Sequence, residues 1–507
     1  MALLQIALCK KTWFILASPL IGRIPTRQHL FIQNCFGEIS LTDYQLLING
    51  QLVNGASTMA VLNPANETTL ADCPRADEAQ LNLAVAAAKA AFGPWHQTPI
   101  EERKAVISQI ADVIEANGAE LAQLLTQEQG KPLADATGEV YGTAAFFRYF
   151  TALDLPIEVI EDSEHRKVEA HRKPLGVIGA IVPWNFPMIL MAFKIPPALI
   201  AGNTVVLKPS PTTPLTSLRL GQLIKDIVPA GVLNIITDAN DLGAPLTAHP
   251  DVNKISFTGS TATGAKVMAG AAGLIKRITL ELGGNDAGIV LDDVEPKKIA
   301  QQLFDSAFQN SGQVCIAMKR LYVHDSIYDE VVDELASIAN DTVIGDGLEQ
   351  GTKLGPLQNK MQYEKVKALI ESAKVDGTIA AGGEVPDQSG YFIRPTIVRD
   401  VSEGSRIVDE EQFGPVLPVL RFKEESDAIT RANNSDYGLG GSVWSSDLDR
   451  AYEVANQMNT GTVWINKHAE LDPGIPFGGS KQSGLGHELG IEGLKEFTQL
   501  KMINMAR

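Results

Sequence analysis

Four cysteines in 507 residues are too few and too unevenly placed for a disulfide framework. Cys9, Cys35 and Cys73 fall near the start, and Cys315 stands alone. No Cys-x-x-Cys pair and no His-x-x-x-His spacing offers a zinc site, so no metal is expected. A reducing compartment fits this usage, which points to the cytoplasm and leaves Cys315 a free thiol. Positive charge is also scarce. With 43 Lys and Arg against 60 Asp and Glu, the formal charge is −17, the wrong sign for a nucleic-acid partner. We read the acidity as solubility. Long apolar runs are missing too, because Asn203 and Lys208 follow the run over 186–201 too closely for a transmembrane helix. Neither the GxGxxG fingerprint nor the GK[ST] of a P-loop is found. Without an internal repeat or a low-complexity linker, the domains should interleave rather than follow one another like beads.

What is present describes a soluble α/β protein: 45% hydrophobic and 20% charged residues, with 44 glycines. The length exceeds what one hydrophobic core serves, so two or more domains are expected. Residues 1–42 stand apart, holding Lys10, Lys11, Arg23 and Arg27 against Glu38 alone. Their run over 13–21 (WFILASPLI) resembles a short signal h-region, too short to span a bilayer. A transit peptide, a loosely ordered tail and an upstream start stay open beside that reading.

Asn49-Gly50 between two apolar runs signals a hairpin. Leu81, Val85, Ala88 and Phe92 mark an amphipathic helix with Asp77 as N-cap, and 101–125 repeats the pattern. Residues 151–171 are more polar and read as a solvated hairpin or an oligomer contact. From Gly176, short β-rich runs (GVIGAIV, TVVLK, VLNII, KISFT) alternate with helical ones over about 187–201, 214–228 and 242–248. That alternation predicts a parallel sheet covered on both faces, with ligands beyond the carboxyl ends of its strands. KISFT feeds the turn Gly259-Ser260-Thr261, whose backbone N–H groups can face an anion at a helix start. After Cys315 a second α/β segment follows, with helices over about 327–338 and 363–373 and a strand over 416–420.

Chemistry concentrates in the stretch 280–316. Glu281 lies in Leu280-Glu281-Leu282-Gly283-Gly284-Asn285, and Cys315 in Ser311-Gly312-Gln313-Val314-Cys315-Ile316. A thiol near a carboxylate suggests covalent catalysis, in which sulfur attacks and the carboxylate moves protons or activates water. A buried apolar cysteine is the plain alternative.

Seven separated motifs then coincide: Pro183-Trp184-Asn185-Phe186-Pro187, Leu207-Lys208-Pro209-Ser210, Phe257-Thr258-Gly259-Ser260, the Glu281 and Cys315 motifs, Glu411-Gln412-Phe413-Gly414-Pro415 and Pro476-Phe477-Gly478-Gly479. In this order they resemble the aldehyde dehydrogenase superfamily over nearly everything after about residue 43. Val314-Cys315-Ile316 followed by Ala317-Met318-Lys319-Arg320 is similar to a bacterial and fungal subgroup with poorly defined substrates.

The resemblance implies an α/β fold of the aldehyde dehydrogenase type. A Rossmann-like dinucleotide-binding domain (43–150 and 172–283) would join an α/β catalytic domain (284–484). A small β oligomerisation arm (151–171 and 485–507) would make a homodimer or homotetramer, with 1–42 as an extension. It also implies an NAD(P)-dependent oxidation of an aldehyde to its acid. Cys315 would attack to form a thiohemiacetal and then a thioester; Asn185 and the Cys315 N–H would form the oxyanion hole. Glu281 would be general base, with Glu488 relaying protons. The thiol pKa would have to be lowered, or the proton removed through water. For the cofactor, Lys208 would hold the adenosine ribose, Glu411 the nicotinamide ribose, and Gly259 and Ser260 the pyrophosphate. Pro183, Trp184, Ser210, Leu282, Gly283 and Phe413 complete that set. Many NAD-dependent members carry a glutamate where this chain has Pro211, so NAD is favoured and NADP stays open. Phe186, Ile189, Phe193, Val314, Ile316 and Phe477 would line the substrate tunnel. All are apolar, favouring aliphatic or aromatic aldehydes over succinic semialdehyde. Asp472 near the mouth would suit a betaine-aldehyde-type substrate. A CoA-acylating enzyme and a catalytically silent binding protein on the same fold are the other readings; Glu281 speaks against the first and the retained constellation against the second.

Overall fold

The computed structural model describes residues 44–507. The readings made of residues 1–42 lie outside the described residues. Asn49 and Gly50 both adopt positive φ, 53° and 73°, and join the antiparallel strands Leu46–Ile48 and Gln51–Val53. Two consecutive left-handed residues suit the right-handed twist of a tight hairpin. Asp77 caps the helix Glu78–Gln97 by accepting from the Gln80 N–H.

The pattern over 101–125 resolves into two helices, Ile100–Ala116 and Gly118–Gln129. Between them Asn117 (φ −110°, ψ 18°) leaves helical geometry, and its side-chain amide joins its backbone N–H on the Val113 carbonyl. The helix expected over 187–201 is likewise two, Pro187–Ala192 and Ile195–Ile200. Pro196 and Pro197 carry no N–H for the preceding turn, so the first helix cannot run through them.

Among the described residues the larger sheet has eight strands, built on five parallel ones: β1 (Val177–Ile181), β2 (Thr204–Lys208), β3 (Leu233–Ile235), β4 (Lys254–Thr258) and β5 (Arg277–Glu281). Their spatial order is β3-β2-β1-β4-β5. Every residue of β1, β2 and β4 is buried, as a sheet covered on both faces requires. The chain steps outward from β1 to β2 and β3, then returns to the far side of β1 for β4. The order therefore reverses between β1 and β4, and a crevice opens beyond their carboxyl ends.

A second sheet, of seven strands among the described residues, places Asp286–Val290 between Met318–His324 and Gly440–Trp444, all parallel. Glu281 ends the first sheet's last parallel strand and Asp286 begins the second sheet, so residues 282–285 bridge the two. A third sheet pairs Thr498–Ala506 with Arg166–Pro174, and that strand with Glu158–Asp162, all antiparallel. One hydrophobic cluster fills the first sheet and extends to Val314, Ile316 and Phe477. No helix among the described residues is long and apolar enough to cross a membrane.

Candidate active site

Cys315 sits past a turn that the chain enters under strain. Asn310, Ser311 and Gly312 have φ of 50°, 55° and 72°, and two of these three are not glycine. A Cβ on Gly312 would lie 2.2 Å from the Gly414 carbonyl oxygen, so only glycine fits. Side chains hold the turn in place. Ser311 Oγ donates to the Gly355 carbonyl at 2.7 Å. Gln313 donates to the Asn310 carbonyl at 2.9 Å and accepts from the Gln358 N–H at 2.8 Å. Asn310 Nδ2 reaches the Asn185 carbonyl at 3.1 Å, which ties the thiol turn to the loop after β1.

That loop carries Pro183, Trp184, Asn185 and Phe186. Asn185 is buried and donates from Nδ2 to the Gln313 carbonyl at 2.9 Å, two residues from the thiol. A carboxamide nitrogen has two N–H groups, so one donor is left for a second acceptor. Lys131, from the link between the helices Gly118–Gln129 and Leu133–Thr151, donates to the Asn185 carbonyl at 3.0 Å, pairs with Glu139 at 2.5 Å and lies 3.7 Å over the Phe186 ring. Glu139 in turn accepts from Met188 and Ile189 N–H. A buried ion pair thus fixes the loop from beneath.

Glu281 approaches from β5. Gly284, three residues on, is so close to the thiol turn that a Cβ there would meet the Cys315 carbonyl oxygen at 2.7 Å. The Glu281 side chain is buried, and neither carboxyl oxygen has a hydrogen-bond partner among the described residues. Burial holds its pKa well above the usual carboxylate range, Glu488 adds to the rise, and Lys194 opposes it. Burial also pushes the Cys315 thiol up to about 12, against the pull of the Lys319 ammonium. Of the two routes expected for thiol activation, burial opposes a lowered resting pKa and favours removal of the proton to an acceptor or water. Lys319 itself donates to the Val314 and Cys315 carbonyls at 2.9 and 2.5 Å.

Glu488 is buried beside Phe477, with which it exchanges backbone hydrogen bonds at 2.8 and 2.7 Å. Its Oε1 lies 2.5 Å from Lys194 Nζ, and its Oε2 has no partner among the described residues. Lys194 also reaches Thr258 Oγ1 at 2.8 Å and Ser256 Oγ at 3.3 Å. The two-helix break after β1 brings this ammonium inward. Lys194, like Lys131 with Glu139, is a group the sequence reading missed; its signal was a single cation inside the apolar run 186–201.

At the crevice, Ser260 caps the helix Thr261–Ala272 by accepting from the Thr263 N–H, with Gly259 just before it. Lys208 ends β2, buried, and pairs with Asp238 at 2.7 Å. Ser210 and Pro211 follow, half-buried. Leu282 is buried, and Gly283 lies where a Cβ would meet Glu411 Oε2 at 2.5 Å. Glu411 Oε1 accepts from Gly284 N–H at 2.9 Å and sits 3.5 Å from Lys319 Nζ. Phe413 holds φ of 51° and packs edge-on to Trp184 at 5.4 Å. Cys315, Glu411, Phe413 and Trp184 thus share one region, next to the strand ends. A bare glycine under Glu411, a capped helix start at the switch point and a buried lysine at the neighbouring strand end suit a dinucleotide.

Of the expected tunnel residues, Phe186 and Ile189 are half-buried, while Phe193, Val314, Ile316 and Phe477 are buried. Phe193 stacks on Phe146 at 5.1 Å. Asp472 is exposed and spends Oδ1 on the Gly474 N–H at 2.7 Å, a local turn rather than a recognition contact. His468, 4.0 Å from Asp286, is held down to about 3 by burial and is therefore neutral, so that contact is not an ion pair. Among the described residues no cluster of metal-ligating side chains is found.

A crevice at the carboxyl ends of a doubly wound sheet, facing a turn-mounted thiol, defines a dinucleotide-dependent oxidoreductase class. The Aldehyde dehydrogenase family model matches residues 52–503, and the chain belongs to that family. Phenylacetaldehyde dehydrogenase of Pseudomonas fluorescens is 40% identical over 482 residues, covering 91% of this chain and 96% of the relative. An NAD+ complex of aldehyde dehydrogenase from Bacillus cereus is 40% identical with TM-score 0.89, covering 91% and 96% of the two chains. Betaine aldehyde dehydrogenase of Staphylococcus aureus, also in complex with NAD+, is 35% identical with TM-score 0.89, covering 91% and 95%.

Proposed function

We propose that the chain is a hydrolytic, NAD-dependent enzyme that oxidises an apolar aliphatic or aromatic aldehyde to its carboxylic acid. The observation that carries this reading is Glu281, a buried carboxyl with both oxygens unpartnered among the described residues, beside the thiol turn. A group so placed is free to bind and deprotonate a water, which hydrolysis needs and transfer to CoA does not.

Cys315 gives its proton to a water as its sulfur bonds the carbonyl carbon, and the displaced carbonyl electron pair becomes the oxyanion of a thiohemiacetal. The free N–H of Asn185 and the Cys315 backbone N–H hold the oxyanion, each donor being worth roughly 3–4 kcal/mol in such a site. NAD, when bound, supplies the hydride acceptor, and the thiohemiacetal becomes a thioester. Glu281 then takes a proton from water, which attacks the thioester carbon and expels the Cys315 sulfur. Glu488, paired with Lys194, passes the proton on from Glu281. Lys208 and Glu411 orient the two ribose groups, Gly259 and Ser260 receive the pyrophosphate, and Phe413 packs at the nicotinamide. The half-buried Phe186 and Ile189, with apolar neighbours and no cation among the expected tunnel residues, favour an uncharged substrate. The exposed apolar side chains Leu500, Met502 and Met505 on the three-stranded sheet support a homo-oligomer. The cysteine usage supports the cytoplasm.

The test is reduced-nicotinamide absorbance with acetaldehyde, hexanal, benzaldehyde, phenylacetaldehyde, succinic semialdehyde and betaine aldehyde, with and without CoA. Turnover of an apolar aldehyde without CoA is the expected result. Strict dependence on CoA sinks the hydrolytic reading.

A further inference from the structure

Lys208 and Asp238 meet at the cofactor edge of the first sheet without being neighbours in sequence. Lys208 is the last residue of β2, and Asp238 lies three residues beyond β3, which runs parallel beside it. Both point to the same carboxyl-end rim, where an open α/β sheet takes its ligands. Lys208 Nζ and Asp238 Oδ1 are 2.7 Å apart, with Asp238 fully buried and Lys208 nearly so. The second oxygen of Asp238 accepts from the Leu242 N–H at 2.8 Å, which locks the carboxylate in place. No reading of the chain's motifs assigned Asp238 a task, since it sits in the unremarkable segment Thr237-Asp238-Ala239-Asn240.

We propose that Asp238 selects NAD over NADP, supplying from the β3 end the negative charge that Pro211 leaves out after β2. The inference rests on the reading of Lys208 as the adenosine-ribose ligand. One of the three ammonium donors of Lys208 is spent on Asp238, and two remain for ribose oxygens. A ribose hydroxyl accepts from the ammonium and adds no charge beside the enclosed carboxylate, so the pair suits an unphosphorylated ribose. A 2′-phosphate reverses that balance: it brings about −1.5 to −2 charges against a fixed carboxylate and has no proton to offer it. The lysine that would otherwise attract the phosphate is already neutralised. Sequence comparison at Pro211 alone leaves cofactor choice open; the fold closes it from the adjacent strand.

Calorimetric titration of the whole protein with NAD+, NADP+ and adenosine 2′,5′-bisphosphate tests this without turnover. Wild type should bind NAD+ more tightly than NADP+. Asp238→Ser and the shape-preserving Asp238→Asn should tighten NADP+ and the bisphosphate on the order of tenfold relative to NAD+, as removal of one nearby like charge predicts. A second readout needs no variant. If a carboxylate repels the phosphate, raising ionic strength narrows the wild-type gap between the two dinucleotides; if a lysine attracts it, NADP+ weakens with salt. Variants that keep NAD+ binding and the wild-type affinity ratio overturn the assignment of Asp238 while leaving the Lys208 reading intact. So does a wild type that prefers NADP+. A folded wild type that binds neither dinucleotide overturns both.

Discussion

Two thiols in the described chain are pushed the same way by burial and sit in opposite surroundings. Cys73 is fully buried in the strand Thr69–Arg75, and burial pushes it up to about 12. Cys315 is pushed up to about 12 for the same reason. Resting acidity therefore does not single out a nucleophile. Cys73 lies in a regular β-ladder whose nearest polar company is the Pro74 carbonyl and Thr237. Cys315 follows a left-handed turn, lies two residues from a carbonyl that the Asn185 amide holds with one donor to spare, has Lys319 on its own carbonyl, and adjoins a carboxyl without a partner among the described residues. Strain and unspent hydrogen-bonding capacity distinguish the proposed site, because a folded chain retains both only where surrounding contacts enforce them.

The largest effect should come from Cys315→Ala, which removes the bond-forming atom. Aldehyde-dependent turnover should fall by at least ~10⁴-fold while NAD+ binding by calorimetry persists. Unchanged turnover would put the nucleophile elsewhere. Next, Glu281→Gln keeps the size and polarity of the side chain but cannot take a proton from water. Steady-state turnover should drop roughly 10²–10⁴-fold, with a stoichiometric first burst of reduced nicotinamide preserved. Loss of the burst as well would give Glu281 a role before hydrolysis. Asn185→Ala deletes one oxyanion donor and should lower kcat roughly 10²–10³-fold, with little change in thiol alkylation.

The two cysteines should also separate by pH. With a pKa near 12, the Cys315 thiolate fraction rises about tenfold per pH unit from pH 7 upward, and iodoacetamide labelling of the cofactor-free protein should follow. A plateau near pH 8 would show that the resting thiol is activated after all. Cys73, wholly enclosed, should not label in the folded protein. Smallest of all, Cys73→Ala should leave turnover alone and reduce stability by roughly 1–2 kcal/mol, seen as an earlier denaturant midpoint.

Much of the fold is legible in residue patterns. The buried parallel strands announce themselves as short β-branched runs, and Asn49-Gly50 and Asp77 act through local backbone rules. The failures are at interruptions. The helices broken at Asn117 and before Pro196 each followed an apolar periodicity that continues through the break, and periodicity carries no term for a missing N–H or a competing side-chain amide. In the site, Cys315, Glu281 and Asn185 stood out because they lie in turn-rich motifs. Lys194, Lys131 with Glu139, and Asp238 did not, because each acts through a partner far away in the chain.

What the sequence by itself determined is the family, the alternating α/β plan and the candidate site residues, all written in local motifs and their order. The tertiary structure alone decided their condition. Burial raises the pKa of both the Cys315 thiol and the Glu281 carboxyl, and strand adjacency seats Lys208 against Asp238. A charge state depends on how much water the whole fold excludes and on which distant groups it brings within a few ångströms, and neither quantity exists until the chain has closed on itself.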